Sequence, residues 1–133
     1  MEIKHWAHPG HVVEITDGQE DSKDNIRVYT DGSKSEHGVG FGIATFTGSK
    51  LIDTKKYKLN GHCSDNQAEQ LAILKALENL QFLEINDIIA LIFIDSRITL
   101  ESLRNRKNHT YLIEKIRKKV IEMGNQNWKI KFN

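Results

Sequence analysis

The most constraining stretch of this sequence is IIALIFI, residues Ile88 to Ile94, seven apolar side chains in a row that stop at Asp95. Without alternation neither face can point to water, so this is a strand covered on both sides, in the middle of an α/β sheet. Three strands precede it: IRVYTD ends on Asp31, DGSKSEHG reads as a turn, VGFGIATF alternates as a second strand and LIDTKKYKL follows as a third. A short loop and a four-residue turn around Gly48 make these three an antiparallel meander. Lys55, Lys56 and Lys58 suit the outer edge of the third strand. The apolar strand therefore joins the free side of the first, through a right-handed helical crossover that makes the two parallel.

That crossover is CSDNQAEQLAILKALENL. Ser64 with Gln67 three residues later predicts a capping box, and Asp65 suits the positive end of the helix dipole. Glu69, Ile73 and Leu77 share one face, which packs on the sheet and carries Glu69 inward. After Asp95 a short helix is expected from Ile98 to about Asn105. A longer one follows from Thr110 to Met123, with Leu112, Ile116, Val120 and Met123 at helical spacing and Gly124 as terminator. Trp128 to Phe132 alternates like a fifth, edge strand. Residues 1–25 read as a connector arm and 26–133 as one domain. The arm holds a short apolar stretch (Val12, Val13, Ile15) and an acidic segment from Asp17 to Asp24 that buries almost nothing. His5, His8 and His11 recur every third residue there without a fourth metal ligand nearby, and are expected to be linker histidines.

Composition removes several classes. Cys63 is the single cysteine among 133 residues, so neither an internal disulfide framework nor a cysteine-based zinc site is possible. It lacks a histidine partner that would make it a nucleophile. Gly38, Gly40 and Gly42 lie at period two inside a strand, where they permit close backbone approach and make no dinucleotide fingerprint. No signal peptide or membrane span is visible, and an intracellular home, cytoplasm or nucleus, is expected. The near-zero net charge hides an asymmetry: residues 1–96 carry 9 basic and 15 acidic side chains, residues 97–133 carry 10 and 3. Arg104, Arg106, Lys107, Lys115, Arg117, Lys118, Lys119, Lys129 and Lys131 give the C-terminal part a field that attracts phosphate backbones, unless they simply solvate a helix face.

The chemistry is expected where Asp31 and Asp95 end adjacent parallel strands, since ligands of open α/β sheets bind beyond the carboxyl ends of strands. Glu69 arrives there from the helix that crosses between them. Three converging carboxylates repel by several kcal/mol per pair at about 4 to 5 Å and an effective dielectric near 20. Protonation or cations must relieve that. Oxygen-only ligands favour Mg²⁺ or Mn²⁺ over zinc, and two such ions can serve phosphodiester hydrolysis.

YTDGSK with GVGFGIA, then SDNQAEQLAILKAL, then FIDSRITLESL closely resemble the ribonuclease H domain of insect non-LTR retrotransposon polyproteins. The resemblance runs from about Ile26 to Asn133, with the motifs in order and at matching spacing, and HPGHVVEI resembles the connector after the reverse transcriptase. It implies a ribonuclease H-like α/β fold with a five-stranded mixed sheet, ordered 3-2-1-4-5 by sequence, and helices after strands 3 and 4. It also implies hydrolysis of the RNA strand of an RNA–DNA hybrid by water, with Asp31, Glu69 and Asp95 as catalytic ligands for Mg²⁺ or Mn²⁺, two ions being expected in a domain complete with the family's last helix and the second site incomplete without it. Gly32, Ser33, Ser64, Asn66, Gln67 and Ser96 are the implied substrate-binding positions. Asp65 stands where relatives often have Asn. The family's catalytic histidine, and its last helix with a fourth carboxylate, are expected to be absent from this chain; His37 and His62 match neither. An upstream reverse transcriptase domain, the hybrid and a second copy of this chain are the implied partners. The rival expectation is a catalytically silent module that keeps the fold and binds nucleic acid or oligomerises.

Overall fold

The computed structural model describes residues 13–16, 26–36, 38–59, 63–83 and 88–133. In chain order the elements are β1 (Glu14–Ile15), β2 (Ile26–Ser35), β3 (Gly38–Thr47), β4 (Lys50–Leu59), α1 (Asp65–Gln81), β5 (Ile88–Phe93), α2 (Arg97–Arg104), α3 (Tyr111–Gly124) and β6 (Trp128–Phe132). They form one mixed sheet ordered β1-β6-β5-β2-β3-β4. The meander, the parallel β2–β5 pair and the lysine-bearing edge strand are as the sequence predicts. The expected five strands become six, because Glu14 and Ile15 pair in parallel with Lys131 and Phe132. β6 is therefore an inner strand, not the edge. Two residues cannot display a period, so the arm's pairing has no signature in the sequence. His5, His8, His11, His37, His62 and the acidic segment lie outside the described residues.

Ile26 and Val28 of β2, Ala90 and Ile92 of β5, and Trp128, Ile130 and Phe132 of β6 meet Ile73, Leu77 and Leu80 of α1 and Ile113, Ile116 and Met123 of α3 in a single core. Each apolar helix stripe thus lies on the sheet face its spacing demands. On the opposite face Phe93 stacks on Tyr29 with centroids 4.6 Å apart, and Tyr29 meets Phe46 edge-on at 5.6 Å. Leu51 is Phe46's register partner, so an apolar stripe crosses four strands. Tyr29 and Leu51 remain exposed within it. Arg27, beside that stripe, donates to the carbonyl of Gly48 in the β3–β4 turn. Gly40 answers a close approach: a Cβ there would sit 2.5 Å from the Tyr57 carbonyl oxygen.

Helix ends follow their caps. Ser64 closes a complete capping box with Gln67 on α1, and Ser96 accepts from Thr99 N to start α2. α3 does end at Gly124, but the left-handed residue after it is Asn127, at φ 71°. Among the described residues, no helix is long and apolar enough to cross a membrane.

Candidate functional site

β2 runs longer than its composition suggests. The stretch GSKS, expected as turn, continues the ladder with β3 down to Ser35 opposite Gly38. Asp31 is therefore not the end of a strand. It is the place where β2 parts from β5, because the last β2–β5 register pair is Tyr29 with Phe93. Two residues beyond that pair on either strand stand Asp31 and Asp95, both exposed. Just before the parting, Thr30 Oγ1 donates to the Phe93 carbonyl at 3.3 Å and bridges the two strands.

Glu69 comes to the same place from the second turn of α1. A Cβ on Gly32 would lie 3.8 Å from Glu69 Oε1, which sets this carboxylate against the backbone next to Asp31. Its other oxygen, Oε2, is buried without a hydrogen-bond partner. Burial first, then the charge of Asp95, then that of Asp31 push the Glu69 carboxyl above its ordinary value. The predicted trio is thus brought together electrostatically. It does not make a closed cage: among the described residues, no three His, Cys, Asp or Glu side chains are close enough to hold an ion ready-made. The Coulomb effect reaches beyond coordination distance, so the two observations agree on an open arrangement. A carboxylate with one buried, unpartnered oxygen that feels the charge of two aspartates fits a hard divalent cation with oxygen ligands.

A separate groove of about 490 Å³ between α1 and the start of α3 is lined by Cys63, Gln67, Gln70, Leu71, Asn108, Thr110, Tyr111 and Leu112 and by none of the three carboxylates. Gln67 and Glu69, two positions apart, project about 200° apart around α1, so the groove lies on a different face of the helix from the carboxylates, and Gln67 is the one expected substrate position that lines it.

A sequence model of the RNase H family matches residues 23–131. The chain belongs to the RNase H family. Solved RNase H structures share its fold. RNase H1 from the halophilic archaeon Halobacterium salinarum is 19% identical, with a TM-score of 0.61 over 82% of this chain and 85% of that one. LC11-RNase H1, solved in complex with an RNA/DNA hybrid, is 20% identical, with a TM-score of 0.63 and coverage of 82% and 85%. The protease–reverse transcriptase of prototype foamy virus is 18% identical, with a TM-score of 0.60 over 86% of this chain and 18% of that longer one. No curated protein matches this sequence significantly.

Within this RNase H domain the remaining expected positions fare differently. Gly32 lies against Glu69, and Asn66 is exposed on the first turn of α1. Ser33 belongs to β2, opposite Gly40, and its side chain lies outside the described part. Ser64 Oγ accepts from Gln67 N at 3.1 Å while Gln67 Oε1 accepts from Ser64 N at 2.9 Å. Both side chains serve the capping box, which leaves Gln67 the amide Nε2 for anything in the groove. Ser96 spends its hydroxyl on the α2 cap at 3.2 Å. The sequence misplaced Arg117: counted with the basic surface, it is 1% exposed and among the largest fully buried side chains. Its spacing gave a readable signal, since four residues after Ile113 and three before Val120 it shares their buried stripe.

Proposed function

We propose that this chain is a metal-dependent endoribonuclease that cuts the RNA strand of RNA–DNA hybrids, with Asp31, Glu69 and Asp95 as its catalytic carboxylates. The observation that carries the reading is Glu69, held partly buried with one oxygen unpaired beside two exposed aspartates. A structure whose sole purpose were stability gains nothing from such an arrangement, since removing any one charge relieves the other two. Asp31, Glu69 and Asp95 would hold Mg²⁺ or Mn²⁺, and two such ions, when bound, activate water and neutralise the leaving oxygen. In the hydrolysis a water oxygen bonds to phosphorus, the phosphorus–oxygen bond of the RNA chain breaks, and the departing oxygen leaves as a hydroxyl. Asp31, on β2, and Asp95, just past the end of β5, supply the negative charge that would hold such ions against the phosphodiester. Glu69 fixes the side nearest Gly32, where the backbone of Gly32 and Ser33 meets the RNA strand and reads its 2′-hydroxyl. Asn66 and the free amide of Gln67 contact the hybrid, which continues along the groove. Ser64 and Ser96, as helix caps, act on substrate through the turns they hold.

The three motifs and their spacing support an origin in a non-LTR retrotransposon polyprotein, with a reverse transcriptase domain as the intramolecular partner. The foamy virus relative, in which this fold is a small part of a longer protease–reverse transcriptase, supports that kind of assembly. The rival reading, a silent binding module, keeps the groove and the basic C-terminal part but gives the carboxylates no task.

The test is cleavage of an end-labelled RNA–DNA hybrid by this chain with and without Mg²⁺, beside Asp31→Asn and against duplexes of RNA alone and DNA alone. Metal-dependent cutting confined to the RNA strand of the hybrid, and lost in the variant, supports the assignment. Hybrid binding without cleavage under any divalent ion moves the protein to the silent module.

A further inference from the structure

Among the described residues, the most deeply buried charged side chain is Arg117, which is none of the three carboxylates. Arg117, in the middle of α3, sends Nη2 to the carbonyls of Ser102 (3.4 Å), Leu103 (3.0 Å) and Asn105 (2.8 Å). Nη1 reaches the carbonyl of Asn108 at 2.5 Å and Glu114 Oε2 at 3.3 Å. Three of those acceptors belong to the last turn and cap of α2, whose carbonyls have no partner within the helix. The fourth lies in the connection that leads into α3. Burying a guanidinium is expensive unless its donors are met and its charge is opposed. Here four carbonyls and Glu114 meet its two Nη groups, while Nε is buried without a partner; Glu114 is itself contacted by His109 Nδ1 at 2.6 Å.

α2 needs a C-cap, but a capping cation need not reach as far as Asn108. That extra bond fixes one wall of the α1–α3 groove. Asn108 Oδ1 is already engaged by Thr110, from its backbone N at 3.0 Å and its hydroxyl at 2.8 Å. With both Asn108 oxygens in use, the polar group it retains for the groove is its amide Nδ2, a donor. Across the groove Gln67 is left in the same condition, since its Oε1 serves the capping box. Gln67 and Asn108 thus line the groove with an amide donor each to offer an acceptor-rich strand, and only Asn108 sits on a loop.

We infer that Arg117 is a positioning residue for substrate: from inside the fold it holds Asn108 at the groove wall and so sets the affinity for the hybrid while leaving the chemical step alone. This rests on the hybrid-cleaving reading above. It assigns a substrate-binding role to a residue that touches no substrate.

The experiment is a double-mutant cycle on hybrid cleavage, with KM and kcat measured separately and a melting temperature for every variant. Asn108→Ala, at a half-buried position, should raise KM about fivefold, the loss expected for one net hydrogen bond, with kcat within about twofold. Arg117→Met should raise KM by a similar factor, and the double variant no further, because the second change acts through the first. Arg117→Lys, which keeps a donor cation at the carbonyls, should recover most of the parental KM. Where Arg117→Met does not fold, Arg117→Lys and Glu114→Gln, each with and without Asn108→Ala, carry the same cycle. A fall in melting temperature with KM unchanged, additive effects, or a loss confined to kcat would each overturn the inference and leave Arg117 a structural cap. A parental chain that neither binds nor cuts hybrid would overturn the functional reading, and this inference with it.

Discussion

Glu69 keeps one carboxylate oxygen out of water with nothing to bond it, close to two other negative charges. A carboxyl whose folded-state pKa lies above its unfolded value holds its proton more tightly in the native state. Its ionisation therefore destabilises the fold at neutral pH, and the penalty is relieved as the pH falls through the raised value. Glu69→Gln should accordingly melt higher than the parent at neutral pH without divalent ions, with the gap closing in mild acid. Thermal melts at the two pH values check this, and a gap that does not change with pH would put the stabilisation elsewhere. Asp31→Asn or Asp95→Asn should abolish cleavage with no loss of metal-free stability, measured by the same melts beside a hybrid assay. Gly40→Ala belongs to the fold alone: its methyl group meets the Tyr57 carbonyl at 2.5 Å, and overpacking of this kind costs about 1–3 kcal/mol in a urea titration. That the three carboxylates lie near one another was legible from the parallel β2–β5 pairing and the helix stripe that carries Glu69 inward. Arg117 was not, because a cation in a run of basic residues reads as solvated until its register against Ile113 and Val120 is considered.

At the scale of elements, the helices announce themselves through caps and the strands through apolar content, and the errors lie where neither speaks. GSKS has the composition of a loop yet continues β2, since its pairing with β3 depends on the partner strand and not on its own side chains. β1 is two residues long and owes its existence to the open edge of β6. The start of α1, by contrast, was readable from Ser64 and Gln67. Replacing Ser64 by Ala should cost about 1 kcal/mol of stability, as loss of an N-cap does, and a denaturant titration would measure it. If Ser64 acts on substrate only as a cap, the same variant should keep kcat while the freed Gln67 side chain shifts KM.

For the whole molecule, ligation and charge are what bulk measurements report. If the carboxylates hold Mg²⁺ or Mn²⁺, either ion should raise the melting temperature of the parent and leave that of Asp31→Asn unmoved, since an ion that binds only the folded state stabilises it by mass action. The C-terminal excess of 10 basic over 3 acidic side chains makes a second prediction. Contact with even two phosphates should weaken hybrid binding about tenfold over a fourfold rise in salt, whereas a merely solvated basic face would leave affinity nearly flat. Fluorescence anisotropy across a salt series distinguishes them. The fork between β2 and β5 has a mechanical side as well. Beyond Tyr29 and Phe93 the two strands no longer share a ladder, and β2 continues as one arm of a hairpin with β3. The gap between Asp31 and Asp95 therefore behaves like the opening of a pair of tongs hinged at the Thr30–Phe93 hydrogen bond. Because β2 and β3 stay paired beyond that point, an ion that draws the two aspartates together should displace the hairpin as a unit, and with it the Gly32 backbone that lies against Glu69.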